Sequence, residues 1–206
     1  MEKYKNYVFS VGYMTMTSSQ YRKLIDLLES YQPKNIIEFG CGQSTGIFEC
    51  YCERTGKSLV SIEDNPSFKH KDTVLFPVVE NNMLHIGDTL YDTCNYYDGL
   101  EDWLSQSDTK YDFILIDGPK GYGFRENYDY GRVQLLSLLL LDKISDTAII
   151  LVHDAQRLNM KKTISEFQHH CEIRGYKIWE SEVLTDNMEN QKLLKIFHIE
   201  KNNEAA

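Results

Sequence analysis

The stretch Asn35-Ile36-Ile37-Glu38-Phe39-Gly40-Cys41-Gly42 decides the fold. A short β-rich run after Pro33 stops at a glycine pair, and a helical stretch from about Ser44 to Thr55 follows it. That is strand, tight turn, helix. Glycine lacks the Cβ that would obstruct a sharp turn or a ligand lying against the backbone, so Gly40 and Gly42 mark a place of close approach. The spacing Gly40-x-Gly42-x-x-x-Gly46 misses the dinucleotide fingerprint by one position, and Glu38 just ahead of it would sit badly beside a pyrophosphate. A carboxylate there suits a cationic amino acid.

The alternation extends in both directions from this turn. Upstream, Tyr21, Leu24, Ile25, Leu28 and Tyr31 recur at helical spacing behind serines that could cap them, which predicts an amphipathic helix over Ser18–Tyr31. Downstream, Ser58–Glu63 reads as a second strand, and extended segments from Thr73 to Gly87 lead to a third. Tyr111–Asp117 is a fourth, its apolar run predicting burial on both faces as in a parallel sheet. Gly131–Leu141 reads as a helix apolar nearly all round, Ala148–Val152 as a fifth strand, and the next helix carries Met160, Ile164, Phe167 and Cys171 on one stripe. Strands near Tyr176–Val183 and Lys192–Ile199 close the chain as a hairpin. The expected fold is α/β, a doubly wound, mostly parallel seven-stranded sheet with a C-terminal antiparallel hairpin. Such sheets bind ligands beyond the carboxyl ends of their strands, and Glu38, Glu63, Asp88, Asp117 and Asp154 all fall at or just past such ends.

Composition bounds the rest. A chain of 206 residues with 42% hydrophobic and 26% charged residues fits one domain, read here as 1–206 with an N-terminal extension over 1–17 and a frayed end over 201–206. The net charge of −9 repels phosphate backbones, which argues against a nucleic-acid partner. The first residues lack the apolar core of a secretory signal, and the most apolar stretch, Leu135–Val152, is interrupted by Asp142, Lys143 and Asp146, so neither export nor a membrane span is expected. Five cysteines without a repeated C-x-x-C suggest reduced thiols in a cytoplasmic protein.

Glu38-Phe39-Gly40-Cys41-Gly42 resembles the first motif of the class I S-adenosylmethionine-dependent methyltransferases, an acid, any residue, then Gly-x-Gly at the end of the first strand. The resemblance implies S-adenosylmethionine as cofactor, held around Glu38, Gly40, Cys41, Gly42 and Ser44. It puts Glu63, with Asp64 beside it, at the ribose hydroxyls, since two carboxylate oxygens suit two vicinal hydroxyls. It also reads His85-Ile86-Gly87-Asp88 as the family's Gly-Asp after the third strand, with Asp88 facing the adenine, and adds Asp117 to the cofactor set.

A narrower resemblance lies at the fourth and fifth strands. Asp117-Gly118-Pro119-Lys120-Gly121, Gly131-Arg132 and Val152-His153-Asp154-Ala155-Gln156-Arg157 are similar to segments of the polysaccharide O-methyltransferases of the glucuronoxylan 4-O-methyltransferase type, with Tyr130 where those carry proline. Methyl transfer to a hydroxyl needs a positioned nucleophile and a proton acceptor, and Asp117, Lys120, His153 and Asp154 are the candidates. Asp117-x-x-Lys120 with acids after the fifth strand also resembles the metal-dependent small-molecule O-methyltransferases, which leaves a divalent metal open, although His153 is unlike their hard oxygen ligands. Arg125, Arg132 and Arg157, with Tyr122, read as ligands of an anionic small-molecule or glycan acceptor, and the loop from Gly118 to Arg132 as a segment closing over it.

Other classes fit less well. A nicotinamide-dependent reductase would share the fold but show G-x-G-x-x-G without Glu38. A noncatalytic S-adenosylmethionine-binding protein would not need acids at both ends of the site. A nucleic-acid methyltransferase would carry Asn-Pro-Pro-Tyr or Asp-Pro-Pro-Tyr where Asp117-Gly118-Pro119-Lys120 stands.

Overall fold

The computed structural model describes Tyr4 and residues 16–119, 130–183 and 193–202. Its elements run α1 (Ser18–Tyr31), β1 (Asn35–Phe39), α2 (Gln43–Thr55), β2 (Ser58–Glu63), β3 (Thr73–Leu75), β4 (Val78–Ile86), β5 (Thr89–Tyr97), α3 (Leu100–Ser105), β6 (Tyr111–Ile116), α4 (Gln134–Leu140), β7 (Ile144–Val152), α5 (Leu158–Ile173), β8 (Tyr176–Val183) and β9 (Leu194–Lys201). Seven strands form one sheet in the order β3-β2-β1-β6-β7-β9-β8. The pairs from β3 to β7 are parallel, and β9 runs antiparallel to both β7 and β8. The expected seven-stranded α/β sheet is the one found.

Period-two alternation along the strands distributes their side chains between two cores. Ile37, Ile114, Ile116, Ile150 and Val152 face α4, α5 and the β4-β5 hairpin, while Ile36, Phe113, Leu115, Ile149 and Leu151 face α1 and α2. Both faces of the central strands are therefore buried, which is why β6 and the second half of β7 read as unbroken apolar runs. On α5, Met160, Ile164, Phe167 and Cys171 are all buried on the stripe that the spacing predicts. Helix α1 is capped by Thr17 rather than by a serine: Gln20 donates its backbone N–H to Thr17 Oγ1, and Thr17 donates its own to Gln20 Oε1, a reciprocal capping box.

Two expectations need correction. The third strand of the sheet is only Thr73–Leu75; the extended residues after it belong to a separate two-stranded sheet, β4-β5, whose facing ends Ile86 and Thr89 leave Gly87-Asp88 as a two-residue turn. The apolar helix after Gly131 starts at Gln134 rather than at the glycine. Lys201, the first residue of the stretch expected to fray, ends β9, and Tyr4, in the expected extension, is buried with its hydroxyl donated to Glu29. Among the described residues no helix is long and apolar enough to cross a membrane.

Candidate active site

The backbone ladder continues past the ends of β1, β6 and β7 and fixes the residues that follow. Gly40 donates its N–H to Ile62 O at 2.8 Å, Asp117 to Phe39 O at 2.8 Å, and His153 to Ile116 O at 3.0 Å. The first residues beyond the strands are thus held as firmly as the strands themselves. Gly40 has φ +91°, a region that side chains rarely adopt. A Cβ on Gly40 would stand 2.7 Å from Gly118 N, and one on Gly118 2.8 Å from Gly40 Cα, so the two turns pack backbone against backbone. Gly42 differs: its φ of 172° is ordinary extended backbone, and a Cβ there would meet nothing within 4 Å. The protein's own packing does not demand a glycine at that position.

Glu38 is fully buried, and its carboxylate accepts from Ser61 Oγ at 2.7 Å and Ser44 Oγ at 3.1 Å. Burial pushes its pKa up to about 7, against the opposing effect of those hydroxyls. It ties β1, β2 and α2 together below the turn. Glu38 and Ser44, both expected at the cofactor, here pair with each other beneath the turn. Glu63, at the end of β2, accepts three backbone N–H groups: Cys41 on Oε2 at 2.7 Å, and Asp64 and Asn65 on Oε1 at 3.0 and 2.9 Å. Oε1 is filled, and Oε2 keeps one acceptor position. Asp64, next along, is partly exposed. The Cys41 thiol is raised to about 12 by burial and is no nucleophile at neutral pH.

Asp88 is exposed at the tip of the β4-β5 hairpin, and the strand it follows is not part of the main sheet. The residue that returns to that edge is Asp98, whose N–H donates to Pro77 O at 2.8 Å just beyond β3, where Phe76 N–H bonds to Glu63 O. The sequence held a usable signal for this, since Gly-Asp between two β-rich runs is a hairpin turn.

At the ends of β6 and β7 four side chains meet. His153 Nδ1 lies 2.7 Å from Asp117 Oδ1 and 4.0 Å from Asp154 Oδ1. Asp117, His153 and Asp154 bring ligand-capable atoms within 4.8 Å of one another. Arg132, on a residue with φ +51°, reaches in from the start of α4: Nη1 donates to His153 O at 2.6 Å and Ile116 O at 3.3 Å, and Nη2 to Asp117 Oδ1 and Asp154 Oδ2 at 3.3 Å each. Arg157 closes on Asp154 Oδ2 at 2.6 Å with its side chain 45% exposed. Arg132, expected to hold an acceptor, is instead buried against acids of its own chain. His153 is 1% exposed, and its Nε2 is buried without a hydrogen-bond partner among the described residues. Lys120, Tyr122 and Arg125, and with them residues 120–129 of the loop expected to close over an acceptor, lie outside the described residues.

A crevice beside this cluster is lined by Asn95, Pro119, Gly131, Arg157 and Asn159. A larger concavity, about 390 Å³, lies at the opposite end of β7 between Tyr31, Thr147, Trp179 and His198, near none of these acids. Chemistry rather than size places the candidate site.

No protein-family model matches the chain, and no curated protein matches it. Solved structures with the same fold include a methyltransferase of Podospora anserina with SAH bound (TM-score 0.54, 14% identity, 98% of this chain and 87% of that one). An O-methyltransferase from Streptomyces achromogenes, involved in tomaymycin synthesis and in complex with SAM, gives 0.56 and 13%, covering 97% and 86%. One from Bacillus cereus, in complex with SAH, gives 0.55 and 13%, covering 97% and 89%. At such identities the likeness establishes a Rossmann-like methyltransferase fold.

Proposed function

We propose that this chain is an S-adenosylmethionine-dependent O-methyltransferase acting on a sugar or other small hydroxyl compound. The observation that carries the reading is His153: its Nδ1 is held 2.7 Å from Asp117 Oδ1 while its Nε2 is buried with no hydrogen-bond partner among the described residues. A carboxylate on Nδ1 selects the tautomer with the proton on that nitrogen, so Nε2 carries a lone pair. A buried acceptor without a donor calls for an explanation, and a substrate hydroxyl supplies one.

The residues on the cofactor side fit a nucleoside ligand. Glu63 Oε2 retains an acceptor position for a ribose hydroxyl, the space beside Gly42 admits a ligand against the backbone, and Asp98 stands past β3 where Asp88 was expected. When bound, S-adenosylmethionine supplies an electrophilic methyl group on a sulfonium. His153 Nε2 takes the hydroxyl proton as the oxygen forms its bond to carbon, Asp117 stabilises the imidazolium, and the products are the methyl ether and the neutral thioether. Arg157, the guanidinium left half exposed, is the described residue placed to meet an anionic acceptor such as a uronic acid.

Calorimetry with S-adenosylhomocysteine tests the cofactor half, with binding expected and Glu63→Ala weakening it by about 1–3 kcal/mol. A methyl-transfer screen of uronic-acid glycans, sugar nucleotides and neutral catechols tests the rest. His153→Gln should lower turnover about 10²–10⁴-fold with cofactor affinity kept. A chain that bound NADH and ignored S-adenosylhomocysteine would refute the proposal, and a preference for a neutral catechol untouched by Arg157→Ala would remove the anionic acceptor.

A further inference from the structure

The cluster Asp117-His153-Asp154 has the composition of a cation site, and its geometry argues that the cation is already there. Two carboxylates of a metal site need a positive charge between them. Arg132 Nη2 stands 3.3 Å from Asp117 Oδ1 and 3.3 Å from Asp154 Oδ2, bridging the two acids. Its side chain is 6% exposed, and its other terminal nitrogen is anchored on the carbonyls of Ile116 and His153. The guanidinium is therefore a built-in part of the strand ends. With Arg157 on Asp154 the group holds two acids and two guanidinium groups, so it is formally neutral without any added ion.

A divalent cation bridging the same two oxygens does not fit beside it. To reach Asp117 Oδ1 and Asp154 Oδ2 at ordinary metal-oxygen distances it would have to take the space and the charge partners of Arg132, against strong repulsion at low dielectric. Nor is the imidazole poised to ligate from that side. The nitrogen facing both acids is Nδ1, 2.7 Å from Asp117 Oδ1, a contact that makes a hydrogen bond only with the proton on that nitrogen. Metal ligation there would require losing that proton. The backbone gives the same indication: Arg132 has φ +51°, a conformation disfavoured for a side chain of this size and kept here by four hydrogen bonds.

We infer that Arg132 replaces the divalent metal at this end of the site, so that the protein needs no metal to position Asp117 and His153. The inference rests on the function proposed above only for what the site does; the exclusion of a metal stands on the cluster alone. Mn²⁺ titration followed by paramagnetic resonance on chelator-stripped protein tests it. Wild type should show no saturable Mn²⁺ site, and S-adenosylhomocysteine affinity should be unchanged by EDTA. Arg132→Met should gain Mn²⁺ binding at least ten-fold tighter than wild type, lost again in Arg132→Met with Asp154→Asn. Saturable binding of one Mn²⁺ by wild type, abolished by Asp154→Asn, overturns the inference, as does a folded Arg132→Met that gains nothing. If Arg132→Met does not fold, the wild-type titration with its Asp154→Asn control decides alone. A protein that ignores S-adenosylhomocysteine yet gives the expected Mn²⁺ results loses the methyltransferase reading and keeps this one.

Discussion

Glu38 has no solvent exposure, yet its partners are the hydroxyls of Ser44, Thr45 and Ser61 and not a cation, so its charged form is poorly supported. With its pKa raised to about 7, the folded state holds the proton more tightly than the unfolded chain, whose carboxyl keeps its ordinary value of 4.5. The contribution to stability is therefore fully present below about 4.5, is lost as pH rises from there to about 7, and stays lost above. Glu38→Gln keeps the shape without the charge, and hydroxyl rotors can turn to suit it. Urea denaturation should show the variant close to wild type at acid pH and more stable by about 1–3 kcal/mol at alkaline pH. A difference that did not change with pH would show that ionisation of Glu38 is not its source. What the sequence could not convey about this residue is its direction. The acid ahead of Gly40 and the acid after β2 look alike on paper, but only Glu63 ends at the edge with an acceptor position left. The course of Arg132 was hidden for the same reason, because a long side chain on a left-handed residue goes where the tertiary structure takes it.

Between elements, the decisive contact is the one at which the turns after β1 and β6 touch. Alanine at Gly118 would put its Cβ 2.5 Å from Tyr97 Oη and 2.8 Å from the Gly40 backbone, and backbone cannot rotate away as a side chain can. Gly118→Ala should therefore lower stability by roughly 1–3 kcal/mol, as overpacking does. It should also weaken S-adenosylhomocysteine binding, because the Gly40 turn would be displaced; chemical denaturation and calorimetry on the same sample read both. Strands β1, β2, β6 and β7 were legible because each is a short apolar run closed by glycine or acid. The β4-β5 hairpin was not. Its alternation is broken by register shifts between Val79 and Asn82 and again between Asn82 and Leu84, and its Gly87-Asp88 turn imitates a cofactor motif. The strand that the motif should follow, β3, is three residues long, too short to leave a periodic signal.

For the molecule as a whole, a ligand that binds only the folded state must stabilise it by mass action. S-adenosylhomocysteine at about one hundred times its Kd should add about 2.7 kcal/mol. For a chain of 206 residues that is a rise in Tm of roughly 5–10 °C by differential scanning fluorimetry, with NADH giving none. A wild-type Tm indifferent to S-adenosylhomocysteine at every concentration would contradict the assignment that the fold and the strand-edge acids support together. The sheet order bears on how such a protein is made. β8 is synthesised before β9 yet pairs only with it, and β9 enters between β8 and β7. On the ribosome, then, the edge of β7 with Ile149, Ile150 and Leu151 stays open until β9 emerges, and β8 waits with no neighbour to zip against. Premature termination before Leu194 would leave a nascent chain with a bare apolar edge, the kind of surface on which newly made proteins stick to one another and that chaperones cover.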